Sequence, residues 1–432
     1  MSRSVSTSRE FLQTLFHAAV AAAHPQSCLP PLLPQAPPGK LILLAAGKAA
    51  GSMVETAEGF YLDRLGLPAS RLAGVAVARH GYGRPTRVVE MIEAGHPIPD
   101  AAGLAAAEKA LKLAAGAGDD DLVLVLMSGG ASANWIAPAE GVSFADKQAV
   151  TRALLRSGAN IGEINTVRKH LSRIKGGRLA ARAYPARLAT IAISDVPKDD
   201  PSAIGSGPTV PDPTTLADAR AIVAKYKLDM PASVAAALND GKNESPKPGD
   251  KIFNKTSFAL AARPADSLRA VEAAVRAAGY EAILLGDSLE GEAREAGAAH
   301  AGFARELREG GRRAVILSGG ELTVTVAGKG RGGPNQEYAL ALAIGLAGMP
   351  GVAALAADTD GTDGGAGNAN DPAGAFIDGQ TVARAKALGL DPAAFLADND
   401  STGFFGPLKD LLMTGPTFTN VNDFRAIVVD RA

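Results

Sequence analysis

Three carboxylates, Asp358, Asp360 and Asp363, fall within the stretch Ala357-Asp358-Thr359-Asp360-Gly361-Thr362-Asp363-Gly364-Gly365, directly after the apolar run Val352 to Ala357. Such a run reads as a buried strand, and open α/β sheets bind ligands outside the carboxyl ends of their strands. Carboxylates in that place suit a hard cation such as Mg²⁺, which usually arrives with substrate phosphates. The spacing is not that of an EF-hand, because position twelve counted from Asp358 is Ala369. Asp-Gly pairs also make good turns, so part of the pattern is local chain geometry.

Other loops follow apolar runs in the same way. Gly47-Lys48-Ala49-Ala50-Gly51-Ser52 comes after Leu41 to Ala46 and opens a helical stretch. A helix N-terminus favours an anion, and Lys48 adds a mobile positive charge. The spacing fits neither GxxxxGK[ST] nor GxGxxG, since position 49 is alanine. Ser128, Gly129, Gly130 and Ser132 follow Asp121 to Met127 and could form a nest of backbone N–H groups for phosphate or substrate. A serine nucleophile is disfavoured there: GxSxG is absent and no histidine lies nearby in sequence. Asp195, just past Leu188 to Ile193, is the carboxylate of that loop best placed for a metal or nucleotide.

Farther along, Ser318-Gly319-Gly320-Glu321 echoes the first Ser-Gly-Gly and is expected to be a second turn. Glu321 there could bind metal or orient Arg331. Glycines around Arg331 would let backbone approach a ligand closely, while a guanidinium grips a carboxylate or phosphate at two points. Asn335 is expected to cap the helix that follows, or to touch substrate. The basic stretch Asn165 to Arg178 should be mostly a solvated face, with one or two of Arg168, Lys169, Arg173 and Lys175 reaching an anionic ligand. His170 is expected to be structural.

The elements that must hold these loops alternate strand and helix, which argues for α/β architecture with largely parallel sheets and helices on both faces. At 432 residues, two or three domains are expected. The polar stretch Asn239 to Asp250 suggests domains at 1–245 and 246–432, the first helix packing on the second domain. That helix is amphipathic, with Phe11, Leu12, Leu15, Phe16 and Ala19 on one face after the capping candidates Thr7 and Ser8. Gln13, Thr14 and His17 interrupt what would otherwise resemble a signal-peptide h-region, and a cytoplasmic location is expected. No stretch has the 18 or more apolar residues of a membrane span. A formal net charge of −1 with no basic run argues against nucleic acid, and the single Cys28 excludes an intrachain disulfide framework. Neither composition nor motif decides between monomer and homo-oligomer.

Taken together, AAGKAAGSM, GHPIPD, LMSGGASA, NTVRKHLSRIKGGRLA, ISDVPKDDPSAIGSGPT, SGGELTVTVAGKGRGGPNQE, ADTDGTDG and GPTFTNVNDF resemble the glycerate 2-kinases of the MOFRL type (class II glycerate kinases), some of which carry the older label hydroxypyruvate reductase. The motifs span nearly the whole chain. The resemblance implies a Rossmann-like N-terminal domain, a smaller MOFRL-type domain and a cleft between them. It further implies transfer of the ATP γ-phosphoryl group to the 2-hydroxyl of D-glycerate, with a divalent cation such as Mg²⁺. It makes Lys48 and Arg331 the catalytic basic pair. The alternatives are an NAD(P)-dependent hydroxypyruvate reductase, weakened by the missing dinucleotide fingerprint, and a non-catalytic small-ligand-binding protein.

Overall fold

The computed structural model describes residues 5–365 and 368–431. Arg3, which precedes the first apolar stretch in the sequence, lies outside them. The chain forms two compact units, one of residues 28–261 and one that joins the N-terminal segment up to Ser27 to residues 262–432.

In the first unit, strands β1 (Leu41–Ala46), β2 (Leu72–Arg79), β3 (Glu90–Ala94), β4 (Leu122–Met127), β5 (Arg187–Ile193) and β6 (Thr256–Ala262) form one sheet in the order β3-β2-β1-β4-β5-β6. β1 pairs in parallel with both β2 and β4, and β4 with β5. LILLAA and LVLVLM show no polar alternation because every residue of β1 and β4 is buried, as strands covered on both faces require. The helix Ala101–Ala115 lies on one face, where Ala106, Ala107, Ala110 and Leu111 share a core with Val123, Val125 and Trp135. Register puts Ala46 beside Val77 and Met127, and Met127 beside Ala192, so the strands end level along one edge. Strand order runs outward in opposite directions from β1 and β4, and the crevice between their loops is therefore the topological switch point.

The division between units falls after Ala261, later than the expected 245. The run Ser257 to Ala262 reads as a strand from sequence, but the structure extends it to Thr256 and adds it, as β6, to the edge of β5 instead of opening a new sheet.

In the second unit, β7 (Glu281–Glu292), β8 (Ala314–Thr323), β9 (Val352–Asp358), β10 (Gly374–Asp378), β11 (Leu411–Leu412) and β12 (Asp423–Val429) run in the order β11-β10-β9-β12-β8-β7. Here the expectation of a largely parallel sheet fails. Only β7 and β8 pair in parallel; β12 lies between β8 and β9, antiparallel to both, and β10 is antiparallel to β9 and β11. A strand buried on both faces has the same residue pattern whichever way its neighbours run, so direction was not encoded locally.

Ser318-Gly319-Gly320 is likewise not a turn. It lies inside β8, where Ser318 pairs with Gly286 and Arg425, and Gly320 with Leu289. A Cβ on Gly320, whose φ is +102°, would stand 2.2 Å from Leu289 backbone, so this glycine lets the irregular part of β7 come close.

Helices cover both faces of this sheet. Ala293–Glu309 and Pro334–Gly345 pack on one side, while Val5–Ala23 and Pro264–Ala277 share a core on the other. The first helix, which already contains Thr7 and Ser8, buries Leu12, Leu15, Phe16 and Ala19. Phe16 meets Phe424 edge-on at 5.9 Å, and Phe11 stacks on Tyr280 at 5.5 Å. Each fully buried large side chain is worth about 1.5–3 kcal/mol relative to exposure, enough to hold this helix on residues far away in sequence. Among the described residues, no helix is long and apolar enough to cross a membrane.

His300, on the helix Ala293–Glu309, has Nδ1 2.7 Å from the Tyr338 hydroxyl. Burial, aided by the charge of Arg425, pulls its pKa down to about 4. An unfolded histidine titrates near 6.5, so the unfolded chain binds the extra proton first and stability is lost as pH falls from about 6.5 toward 4. His300→Gln should flatten the dependence of Tm on pH across that window while leaving pH 8 nearly unchanged. Thermal melts at pH 8, 6 and 5 check this; equal acid sensitivity of both proteins would assign the loss to other groups.

Candidate active site

At the switch point the loops after β1 and β4 are bonded to each other. The Lys48 N–H donates to Gly129 O at 2.8 Å, the Ala49 N–H to Ser128 Oγ at 2.9 Å, and the Ser128 N–H to Ala46 O at 3.0 Å. Gly47 has φ +118°, and a Cβ there would sit 2.4 Å from Ser128 Oγ. Glycine is therefore demanded twice, by backbone conformation and by space. Ser128, expected as part of an anion nest, is buried and uses its hydroxyl to strap the Lys48 loop.

Gly130 marks where side chains meet. A Cβ on it would lie 2.9 Å from His96 Cδ2 and 3.6 Å from Lys48 Cγ. Both side chains are half-buried. His96 was not singled out in the sequence beyond its place in GHPIPD. The available signal was positional: it stands just past β3, at the same edge of the sheet as Lys48.

Ser132, two residues beyond Gly130, gathers charge. Arg168 Nη2 donates to its Oγ at 3.0 Å, and Lys175 Nζ to its Oγ at 3.0 Å and its carbonyl at 2.8 Å. With both lone pairs accepting, the Ser132 hydroxyl gives its proton to Ser206 Oγ at 2.8 Å, and Ser206 in turn donates to Asn165 Oδ1 at 3.4 Å. A nucleophilic role for Ser132 would break this arrangement.

The solvated face expected for the basic stretch is thus largely absent. Lys169 and Lys175 are buried, and Lys169 pairs at 3.4 Å with buried Asp212. Arg173 pairs with Glu108. His170 is buried, with Nδ1 2.8 Å from Thr166 O and Nε2 3.2 Å from Glu244, and serves as a structural tie. Burial first, then the charges of Arg168 and Lys147, holds the Lys175 amine well below the ordinary lysine range. Lys147 is depressed likewise by burial, and it donates to the carbonyls of Arg168 and Leu171. Asp195 stands half-buried in the loop beyond β5.

In the second unit the aspartate loop leaves β9 as expected, but its carboxylates are busy with backbone. Asp358 Oδ1 accepts the Asp360 N–H at 2.8 Å, and Asp360 Oδ1 accepts the Thr362 N–H at 2.7 Å. Asp363 accepts the N–H groups of Asn335 (3.0 Å) and Gln336 (2.9 Å), and their side-chain amides at 3.2 and 3.1 Å. It therefore caps the helix Pro334–Gly345 from another loop, the task expected of Asn335. Asn335 is already inside that helix and donates to Asp423 Oδ1 at 2.6 Å. Burial, opposed by these hydrogen bonds and helped by the Asp423 charge, pushes Asp363 up to about 7. Among the described residues, no three His, Cys, Asp or Glu side chains are grouped so as to hold a metal ion. Asp363 in particular is committed to the helix.

Arg331 is exposed, on a loop whose backbone is tied to residues 398–402: the Gly330 N–H donates to Asp398 O at 2.9 Å, and the Arg331 N–H to Asp400 Oδ1 at 3.0 Å. A Cβ on Gly330 would meet Asp400 Cβ at 2.2 Å. These glycines admit the neighbouring loop, not a ligand as the pattern had suggested, and they fix the backbone from which Arg331 projects. Gly319 and Gly320 are buried within β8, while Glu321 is exposed.

A family model described as "Domain of unknown function (DUF4147)" matches residues 11–239, and the MOFRL family model matches residues 314–423. A D-glycerate 2-kinase of Thermotoga maritima is 39% identical over 410 residues, covering 94% of this chain and 94% of its own. An Agrobacterium vitis protein provisionally named hydroxypyruvate reductase is 46% identical over 429 residues, covering 98% of this chain and 95% of its own. The crystal structure of a glycerate kinase from Thermotoga maritima superposes with a TM-score of 0.86 at 37% identity, covering 98% of this chain and 100% of that one.

Gly47→Ala tests the strap between the two loops. Forcing a side chain to positive φ costs about 1–3 kcal/mol, and displacement of Ser128 adds to it. The variant should unfold at lower denaturant concentration, with an unchanged m-value. Wild-type stability would show that the loop relaxes at no cost.

Proposed function

The chain belongs to the MOFRL-type family of glycerate 2-kinases, and from that premise we propose how it phosphorylates the 2-hydroxyl of D-glycerate. The observation that carries the reading is the switch-point crevice, where Lys48 is locked beside Gly130 and His96 at the carboxyl edge of a parallel sheet. ATP is the phosphoryl donor in this reading.

Phosphoryl transfer asks little covalent chemistry of the protein; positioning and charge stabilisation supply most of the rate. Lys48 is the group that meets the negative charge of the moving phosphoryl. Its backbone is bonded to Gly129 on one side and followed by the Ala49–Ser128 strap, so its ammonium is delivered from a stiff base. Arg331 is the second cation, its exposed guanidinium carried on a loop held by Asp398 and Asp400.

A Mg²⁺ ion brought with ATP would neutralise phosphate charge, and it needs only one or two protein carboxylates. Asp358, Asp360 or Asp195 is the side chain proposed to supply one. Asp363 is not, because its oxygens already bind Asn335 and Gln336.

The reductase name carried by a relative finds no support in the β1 loop. A dinucleotide fingerprint needs glycine at position 49, where this chain has an alanine whose N–H is tied to Ser128.

Incubation with Mg-ATP and D-glycerate, coupled to enolase without a mutase, should yield phosphoenolpyruvate directly; formation of 3-phosphoglycerate alone would refute the regiochemistry. Mixing the protein with NADH and hydroxypyruvate should leave the NADH absorbance constant. Lys48→Ala and Arg331→Ala should each lower kcat by about 10²–10³-fold, the loss typical for removing one transition-state charge contact. Circular dichroism and Tm should stay close to wild type, so that retained turnover would remove the residue from the mechanism.

A further inference from the structure

We propose that Arg168 and Lys175, bridged by Ser132, form an oxyanion-binding subsite for a substrate, a carboxylate or phosphate group being the ligand chemistry it takes. The proposal rests on the kinase reading above for the identity of the substrates, but its geometry belongs to the first unit alone.

The argument begins with cost. Burying an ammonium or guanidinium without a counter-charge costs several kcal/mol, and proteins normally pair such groups. Neighbouring Lys169 obeys the rule through Asp212, and Arg173 through Glu108. Arg168 and Lys175 do not. Among the described residues no carboxylate pairs with either, and their partners are the Ser132 hydroxyl and carbonyl. Lys147, itself buried, adds a third positive charge nearby.

Donor capacity points the same way. A guanidinium has five N–H donors and an ammonium three, while Ser132 takes one from Arg168 and both of its acceptor sites are filled. The guanidinium is not sealed off: Arg168 is half-buried, as is Ser132. Ser132 lies two residues along the chain from Gly130, where the Lys48 side chain passes. An incoming oxyanion would supply the missing counter-charge and use the remaining donors. The Ser132 hydroxyl, giving its proton to Ser206, acts as the spacer that aims both cations.

The test uses the full chain with Lys175→Met, Arg168→Gln and the conservative Arg168→Lys. If the cations only support the fold, Lys175→Met lowers Tm and leaves both KM values alone, and the proposal is overturned. If they await an anion, the ligand-free Lys175→Met protein melts at or above the wild-type temperature, because an uncompensated buried charge has gone.

In the same protein the stabilisation that wild type gains from 10 mM D-glycerate or inorganic phosphate should vanish. A rise of about tenfold or more in KM for D-glycerate, with KM for ATP unchanged, assigns the carboxylate. The converse pattern assigns a nucleotide phosphate. Arg168→Lys should recover part of what Arg168→Gln loses. Should wild type show no glycerate-dependent ATP turnover, the kinase reading falls and the melting arms decide the subsite: anion stabilisation lost in the variants upholds it, and stabilisation retained in them, or absent from wild type, overturns it.

Discussion

The Ala49 N–H to Ser128 Oγ hydrogen bond couples the two strand ends between which a parallel sheet can accept a ligand. β1 and β4 are buried along their whole lengths, so their chemistry has to be expressed past their last residues, Ala46 and Met127. Strands that diverge in sequence order leave a gap there, and gaps between unconnected loops are soft. Here the gap is stiffened by three hydrogen bonds, from Lys48, Ala49 and Ser128, and by a glycine at position 47 that no side chain could replace without displacing the serine. Lys48 inherits its precision from that junction. A long flexible lysine becomes useful in catalysis when its backbone and first methylenes have nowhere else to go.

Two charged neighbourhoods, one in each unit, are satisfied in opposite ways. The first concentrates cations: Lys147, Arg168 and Lys175 share a neighbourhood in which hydroxyl and carbonyl oxygens, not carboxylates, receive their donors. The second buries carboxylates against backbone N–H groups, most completely at Asp363, where the first turn of a helix and two side-chain amides converge. Helix N-termini and carboxylates satisfy one another, which offsets much of the desolvation. Uncompensated cations have no such internal solution, and a protein that keeps them retains free energy that an anion can release on binding. The contrast separates Asp363, whose oxygens are spent on a helix, from Arg168 and Lys175, whose partners are neutral oxygens.

Family membership was legible from motifs distributed in order over nearly the whole chain. Local elements were legible too. β1 and the helix Ala101–Ala115 follow from periodicity and flanking residues alone, since an unbroken apolar run and a 3.6-residue repeat are properties of neighbouring positions. The glycine at position 47 and the Ser-Gly-Gly after β4 could be placed at a sheet edge for the same reason.

Partnership is what the sequence by itself could not determine. The β12 strand reads identically whether its neighbours are parallel or antiparallel, and only the sheet places it between β8 and β9. Ser318-Gly319-Gly320 copies the first motif yet lies inside a strand, because β7 and β12 pair across it. Asn335 had the composition of a cap, but Asp363, 28 residues away, takes that role. Arg168 and Lys175 meet at a serine 36 and 43 residues earlier, a convergence without a signature in either segment. Residue types and short-range spacing thus determined the family, the local elements and the loops that follow the buried strands. Tertiary structure alone decided which charged side chain meets a carboxylate or a helix N-terminus and which meets only neutral oxygens, because that depends on atoms brought together from distant parts of the chain.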